Sequence, residues 1–191
     1  LTFTFGGRES LRQRAVAMET FGTDAARDLR WLLGRVLLMT FLIEGIGFVI
    51  LAVRNLFDYP PATALWHALF HSVSAFCNAG FAIPDDSLVR YQGDPLVNFT
   101  IMGLIVSGGI GFPVMIDLHR NWRLPWRKLW DALHVHSKMM LIGTGGLSAF
   151  GTAMLLLLEW KNSLSSLPLG NKLLVALFQS ITPRTAGFNT V

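Results

Sequence analysis

The sequence predicts an all-α membrane protein made of repeated units, each a membrane span followed by a short re-entrant helix and a loop. Hydrophobic residues make up 52% of the 191 residues and charged residues only 15%, against about 25% in soluble domains. The apolar residues gather into runs of membrane-spanning length, and two further apolar stretches resemble each other. A chain this short cannot bury so much apolar surface by itself, so lipid must cover part of it.

The composition argues against several other classes of protein. The net charge of +4 is carried by residues between the apolar runs rather than by one basic patch, so nucleic acid is not predicted as a partner. The single cysteine, Cys77, excludes an internal disulfide and gives no zinc-binding spacing. Because the sequence starts at Leu1, shows no signal peptide and stops at Val191 within an apolar stretch, we expect an interior piece of a longer protein.

Three apolar runs have the length of membrane spans. An 18-residue helix is about 27 Å long, close to the roughly 30 Å hydrocarbon core of a bilayer. The first run contains one charge, Glu44, and the other two contain none. The second ends in a glycine-rich cluster at 108–113, for which close helix packing is favoured over a simple kink. The three runs are residues 36–53, 99–116 and 139–158.

Two other apolar stretches, 62–83 and 172–191, are each interpreted as a short helix followed by a re-entrant loop. Apolar segments of about 10–14 residues that continue into irregular backbone are too short to span a bilayer. The two stretches are internal repeats, because an Ala-Leu-Phe block recurs at an offset of 108 and an Ala-Gly-Phe block at an offset of 107. One residue is therefore lost between the two blocks.

The repeat divides the chain into four parts. They are an interfacial or cytoplasmic segment at 1–35, a complete span–pore loop–span unit at 36–116, a cytoplasmic linker at 117–138, and the first span and pore loop of another unit at 139–191. The first part holds six arginines and the linker five basic residues, whereas the 54–98 loop has more aspartates than arginines. By the positive-inside rule, both re-entrant loops then enter from the outside.

The two loops have the residue pattern of a backbone that binds a cation. Each is centred on a glycine, Gly80 or Gly187, which can adopt conformations closed to other residues and lets a ligand approach closely. Carbonyl oxygens of such a loop can replace the water shell of a cation, and the partly negative C-terminus of the preceding helix also favours one. The alternative is a glycine that ends a helix without contacting an ion.

Three segments together resemble the Trk/Ktr/HKT superfamily of potassium transporters, most of all its bacterial Ktr and Trk pore-forming membrane subunits. They are Phe-Cys-Asn-Ala-Gly-Phe at 76–81, Gly-Gly-Ile-Gly-Phe-Pro at 108–113 and Ser-Ile-Thr-Pro-Arg-Thr-Ala-Gly-Phe-Asn-Thr at 180–190. The resemblance covers essentially the whole chain. It implies four repeats around one pore, of which 36–116 is the second and 139–191 is the beginning of the third, with 1–35 following the first. It also implies a K⁺ filter to which this chain contributes the backbone carbonyls of Asn78, Ala79, Gly80, Phe81, Thr185, Ala186, Gly187 and Phe188.

The same resemblance implies a function and partners. It indicates a multi-pass protein of the plasma or inner membrane that conducts K⁺ inward, with no covalently bound cofactor and no enzymatic activity. It also implies a homodimer in which each chain has its own pore, and a cytosolic ring of nucleotide-binding regulatory subunits. Three alternatives stay open: a secondary transporter coupled to Na⁺ or H⁺, a sodium-conducting member of the family, and a non-conducting assembly subunit.

Two charged residues are assigned to supporting the filter. Glu44 needs a protein partner, because a charge within a span costs roughly 2.5–3.5 kcal/mol; we interpret it as an acceptor for backbone N–H groups of the loop, with an ion-pathway carboxylate as the alternative. Arg184 would repel cations if it faced the pore, so we expect it to tie the loop to a carboxylate or carbonyls elsewhere. His67 and His71 are expected to pack rather than bind a metal, and Cys77 to be a small packed residue.

Overall fold

A computed structural model describes residues 29–165, 167–184 and 186–190, without the side chains at 29–31 and 184. By their contacts the residues divide into two compact units, Leu1–Ile43 and Glu44–Val191, and all packing described below lies within the second. The described residues contain helices and no strand, so the all-α prediction is confirmed for them. The helices are α1 Leu29–Asn55, α2 Pro61–Phe76, α3 Pro95–Ile110, α4 Phe112–Asn121, α5 Trp126–Ala132, α6 Val135–Glu159 and α7 Leu169–Ile181, with 3₁₀ turns at Val89–Tyr91 and Thr182–Arg184.

Two helices, α1 and α6, are long and apolar enough to cross a membrane. They contain the predicted spans at 36–53 and 139–158 and extend beyond them at both ends. Large apolar side chains stay exposed along α6, which suits a helix surrounded by lipid and by other parts of a membrane protein. Among them are Ile142, Leu147, Phe150, Leu157 and Leu158.

The predicted span at 99–116 is not one straight helix. It divides into α3 and α4, which are bent by 102° at Gly111. Gly111 has a φ of 83°, in the left-handed region that glycine enters without penalty, and Pro113 restricts the backbone that follows. At the other end α3 begins early because the Asp94 carboxylate caps it, accepting the N–H groups of Leu96 and Val97 at 3.0 and 3.2 Å.

The two short helices, α2 and α7, occupy the predicted pore-helix positions. Proline stands in the first turn of α2, where its missing N–H removes no helical hydrogen bond. Helix α2 packs against α3, and α7 packs against both α6 and α3. Helix α3 therefore contacts both short helices and places the ends of the two repeats beside each other.

A polar cluster on the predicted outer side joins the end of α1 to the start of α3. Arg54 forms ion pairs with Asp58 at 2.9 Å and with Asp94. The Tyr91 hydroxyl donates to Asp58 at 3.1 Å, and the Arg54 guanidinium lies over the Tyr91 ring. Burial, followed by the neighbouring Tyr59 and Asp58, raises the pKa of Tyr91, so its hydroxyl remains a proton donor at neutral pH.

On the opposite side, Asp117 of α4 holds the beginning of α6. Its carboxylate accepts the His134 backbone N–H at 2.9 Å and lies 3.0 Å from His134 Nδ1. Burial opposes the charge, but hydrogen bonds from Ser137 and His134 outweigh it and lower the pKa of Asp117. A carboxylate is favourable at a helix N-terminus, where it interacts with the positive end of the helix dipole. Asp117 therefore joins the beginning of the 117–138 linker to the residues at its end.

Replacing Asp117 should destabilise the protein. Asp117→Ala leaves the His134 N–H and the Ser137 hydroxyl without their acceptor, which should cost about 1.5–3 kcal/mol. Thermal unfolding of the full-length parent in detergent measures this, with the exposed Asp131→Ala as the matched control. Because the pKa of Asp117 is lowered from 3.8, its contribution is present above that value and is lost as the pH falls below it. Equal melting temperatures for the two variants would contradict this role.

Candidate functional site

The first glycine-centred loop follows α2 in a tight turn. The Ala79 N–H donates to the Ser74 carbonyl at 2.9 Å, which turns the chain back on the end of the helix. Asn78 and Gly80 both have positive φ, 53° and 71°. A left-handed conformation is rare outside glycine, though asparagine tolerates it better than most residues. The loop is therefore bent by its own sequence.

The second loop follows α7 in the same way. The Gly187 N–H donates to the Thr182 carbonyl at 3.1 Å, across the same sequence separation as Ala79 and Ser74 in the first loop. Gly187 has a φ of 82°. The similarity between the two segments therefore extends from sequence to backbone conformation.

A hydroxyl group fixes the end of each loop. Ser74 Oγ donates to the Phe81 carbonyl and Thr182 Oγ1 to the Phe188 carbonyl, each at 2.8 Å. The first pair is seven residues apart and the second six, so the residue that the 139–191 unit lacks is lost inside its loop. The sequence analysis did not predict a role for either hydroxyl. Ser74 and Thr182 are separated by the same offset of 108 as the Ala-Leu-Phe blocks, and this spacing could have indicated their shared role.

A second pair of hydroxyls attaches each short helix to the span before it. Ser72 Oγ donates to the Glu44 carbonyl at 2.7 Å, and Ser180 Oγ donates to the Ser148 carbonyl at 2.8 Å. Both acceptors are helix carbonyls at corresponding places in the two spans. These bonds hold the short helices at a set height along α1 and α6.

Glycines make room for these serines. A Cβ on Gly47 would lie 2.9 Å from Ser72 Oγ, and a Cβ on Gly151 would overlap Ser180 Oγ. Each glycine lies three residues after the carbonyl that accepts the bond. The same small-residue contact therefore occurs in both repeats and lets helices approach closely.

The two glycine-centred loops touch each other. A Cβ on Gly80 would overlap the Ala186 carbonyl oxygen and lie 3.1 Å from Gly187 Cα. By contrast, a Cβ on Gly187 would have nothing within 4 Å. Gly80 is thus required by close approach as well as by its φ, and Gly187 by its φ alone. The predicted site residues 78–81 and 186–188 lie together as a result.

The glycine-rich cluster at 108–113 combines the packing that sequence analysis favoured with a kink. A Cβ on Gly108 would overlap the Phe76 carbonyl oxygen at the end of α2 and lie 2.9 Å from Asn78 Nδ2. Gly111, three residues later, forms the bend between α3 and α4. Helix α3 therefore packs directly against the end of α2 and the start of the first loop.

Glu44 has a different partner from the one expected. Within the described residues, Cys77 Sγ donates to its Oε1 at 3.9 Å, whereas backbone N–H groups of the loop were predicted. The prediction that Cys77 is packed is wrong, because its side chain is exposed. Cys77 lies directly after the last residue of α2, and its thiol points toward Glu44.

Thr185 and the side chain of Arg184, both assigned to the site, lie outside the described residues.

The two histidines of α2 pack as expected. His71 is buried, and its Nδ1 lies 2.7 Å from the His67 carbonyl oxygen, so Nδ1 carries the proton. The His67 ring lies 4.7 Å from that of Tyr59, and the His71 ring 6.4 Å from that of Phe188 in the other repeat. His71 therefore joins the two repeats through packing.

Comparisons with known proteins agree over nearly the whole chain. Residues 3–191 match the TrkH family, described as a cation transport protein. Over its full length the chain is 45% identical to Ktr system potassium uptake protein B of Vibrio alginolyticus and 35% identical to the protein of that name from Bacillus subtilis strain 168, covering 42% of each. Over 95% of its length it is 31% identical to potassium/sodium uptake protein NtpJ of Enterococcus hirae, covering 39%. The chain spans about two fifths of these relatives.

The contact at Gly108 can be tested against another glycine of α3. Gly108→Ala should destabilise the full-length parent by about 1–3 kcal/mol, because the new Cβ meets backbone that cannot move aside cheaply. Gly103→Ala, with nothing within 4 Å of its Cβ, should be neutral or stabilising by up to about 1 kcal/mol. Thermal unfolding in detergent compares them. A Gly108→Ala protein as stable as Gly103→Ala would contradict the contact.

Proposed function

We propose that this chain, which belongs to the TrkH family of cation transport proteins, is part of the pore-forming membrane subunit of a potassium uptake system. The resemblance to the Trk/Ktr/HKT superfamily is confirmed at the level of the family. The observation that carries the proposal is the meeting of two glycine-centred loops at Gly80 and Ala186, each loop turned by the same backbone hydrogen bond.

The filter is proposed to consist of backbone carbonyls. Oxygens of such loops replace the hydration shell of a K⁺ ion, and several partial negative charges balance the lost water. The hydroxyls of Ser74 and Thr182 support this role, since each fixes the backbone at the end of its loop by donating to the Phe81 or the Phe188 carbonyl at 2.8 Å. The proposed filter residues are Asn78, Ala79, Gly80, Phe81, Thr185, Ala186, Gly187 and Phe188.

Passage of the ion needs no chemical step. The membrane potential supplies about 2.3 kcal/mol per elementary charge for each 100 mV, and no bond is made or broken, so the proposed protein is a transporter and not an enzyme. Glu44 and Arg184 are proposed to support the filter. For Glu44 the contact with the Cys77 thiol supports this, because it brings a carboxylate to the end of α2.

The names of the relatives support potassium as the transported ion. Those from Vibrio alginolyticus and Bacillus subtilis are named for potassium uptake, and the one from Enterococcus hirae for potassium and sodium uptake. Sodium conduction is therefore the second candidate function. The word "system" in the Ktr names supports an assembly of several components. We propose a homodimer in the plasma or inner membrane, bound on its cytosolic side to a ring of nucleotide-binding regulatory subunits.

A side chain on Gly187 should change the ion preference. Serine there has room but must adopt a φ of 82°, and a left-handed conformation costs roughly 1–2 kcal/mol. In proteoliposomes of the full-length parent, Gly187→Ser should lower the ratio of K⁺ to Na⁺ flux by about tenfold, the equivalent of about 1.4 kcal/mol. Flux is driven by membrane potential alone, and Gly103→Ser is the control.

Each other result of this assay has a definite meaning. Wild-type flux that requires a Na⁺ or H⁺ gradient would replace the proposal with a secondary transporter. A wild-type preference for Na⁺ would select the sodium-conducting alternative. An unchanged ratio in Gly187→Ser would remove this loop from the filter. Gly80→Ser is a second test, but its Cβ also disturbs the contact between the loops.

The hydroxyl behind the second loop gives an independent prediction. Thr182→Val removes a hydrogen bond to the Phe188 carbonyl while nearly preserving side-chain volume. A freed carbonyl should lower the K⁺-to-Na⁺ flux ratio by about two- to twelvefold, from the roughly 0.5–1.5 kcal/mol of one hydrogen bond. Thr100→Val is the matched control, because Thr100 bonds to the Leu96 carbonyl of its own helix. Equal flux ratios for the two variants would contradict the role of Thr182.

A further inference from the structure

We propose that Ser87, in the outer loop of the second repeat, is a positioning residue for the filter loop of the third repeat. Together with Leu88 it forms a clamp on Asn189, the residue that follows Phe188. This inference rests on the proposed function, because it concerns ion selectivity at the proposed filter. It adds a residue that contacts no ion and belongs to neither glycine-centred loop.

The clamp consists of two hydrogen bonds. The Asn189 N–H donates to Ser87 Oγ at 3.1 Å, and the Leu88 N–H donates to the Asn189 carbonyl at 2.9 Å. Both bonds act on the backbone of one residue, so they fix both of its peptide groups. That residue lies two positions after Gly187, and a rotation of its backbone would be transmitted to the carbonyls of the filter loop.

Asn189 is also held from the side of α7. Gln179 Nε2 donates to Asn189 Oδ1 at 2.7 Å and lies 3.4 Å from Thr190 Oγ1. Phe188 and Thr190, on either side of it, are fully buried. The end of the Gly187 loop is therefore held between its own helix and the outer loop of the preceding repeat.

The second repeat lacks the side chains for this arrangement. The residue corresponding to Gln179 is His71, and the one corresponding to Asn189 is Ala82, which has no polar side chain. His71 Nε2 is buried and has no hydrogen-bond partner among the described residues. The difference indicates that the Gly187 loop, unlike the Gly80 loop, depends on a neighbouring repeat for its outer attachment.

The outer loop is itself shaped to present Ser87. The Ser87 N–H donates to the Pro84 carbonyl at 3.0 Å and the Val89 N–H to the Asp86 carbonyl at 3.2 Å. Ser87 has a φ of 58°, which is unfavourable for serine. Leu88 is buried and anchors the turn beside the hydroxyl. The clamp is therefore part of a folded turn.

Ion flux of substituted full-length protein tests the clamp. In proteoliposomes driven by membrane potential, Ser87→Ala and Ser87→Gly should each lower the K⁺-to-Na⁺ flux ratio by about two- to twelvefold, the effect of one lost hydrogen bond. Both lose the hydroxyl, whereas only glycine also relieves the positive φ. Ser87→Asn should restore the ratio, because asparagine tolerates this conformation and offers a carbonyl oxygen as acceptor. Ser163→Ala is the control, since Ser163 bonds to Glu159 instead.

The variants separate this inference from the proposed function. If Gly187→Ser lowers the flux ratio but Ser87→Ala and Ser87→Gly leave it unchanged, the clamp is wrong and the filter proposal stands. If Gly187→Ser also has no effect, the filter proposal fails first. Melting temperatures are measured for each variant. If all three Ser87 variants, asparagine included, lose flux together with thermal stability, Ser87 is only structural and its positioning role is overturned.

Discussion

The arrangement depends on one constraint: backbone that is neither helix nor sheet must find its hydrogen bonds inside the protein when it lies at membrane depth. Each loop here meets it with hydroxyls from its own short helix. Ser72 and Ser180 tie that helix to the carbonyls of the preceding span, and Ser74 and Thr182 hold the end of the loop. The bends of both loops are thereby fixed by hydrogen bonds within the protein.

Close approach of backbone to backbone follows from this constraint. Short side-chain hydroxyls reach a carbonyl only when helices are near each other, and glycine permits that distance. Gly47 and Gly151 give room to the serines, Gly108 to the end of α2, and Gly80 to the neighbouring loop. Gly103, on the same helix as Gly108, meets nothing. The physical reason for a glycine therefore differs from one position of this chain to another, and it is identified by the atoms that surround each glycine.

The two repeats share a design but are not equivalent. The Gly187 loop is joined to the outer loop of the preceding repeat through Ser87 and Asn189, and its short helix α7 contacts α3. On the opposite side Asp117 holds the beginning of α6. The two repeats are thus connected through Ser87 and Asn189 and again through Asp117 and His134. Such connections suit a filter whose carbonyls must keep fixed directions while an ion passes.

Hydropathy and the internal repeat suffice to predict the fold class, the helices α1 and α6, both short helices and the positions of Gly80 and Gly187. They carry that information because lipid exposure and helix length depend on each segment separately. The bend at Gly111, the contact at Gly108 and the thiol partner of Glu44 emerge only from the folded chain. The physical reason is that a hydrogen bond or a close contact depends on which distant segment folds against a residue, and no pattern within one segment specifies that partner.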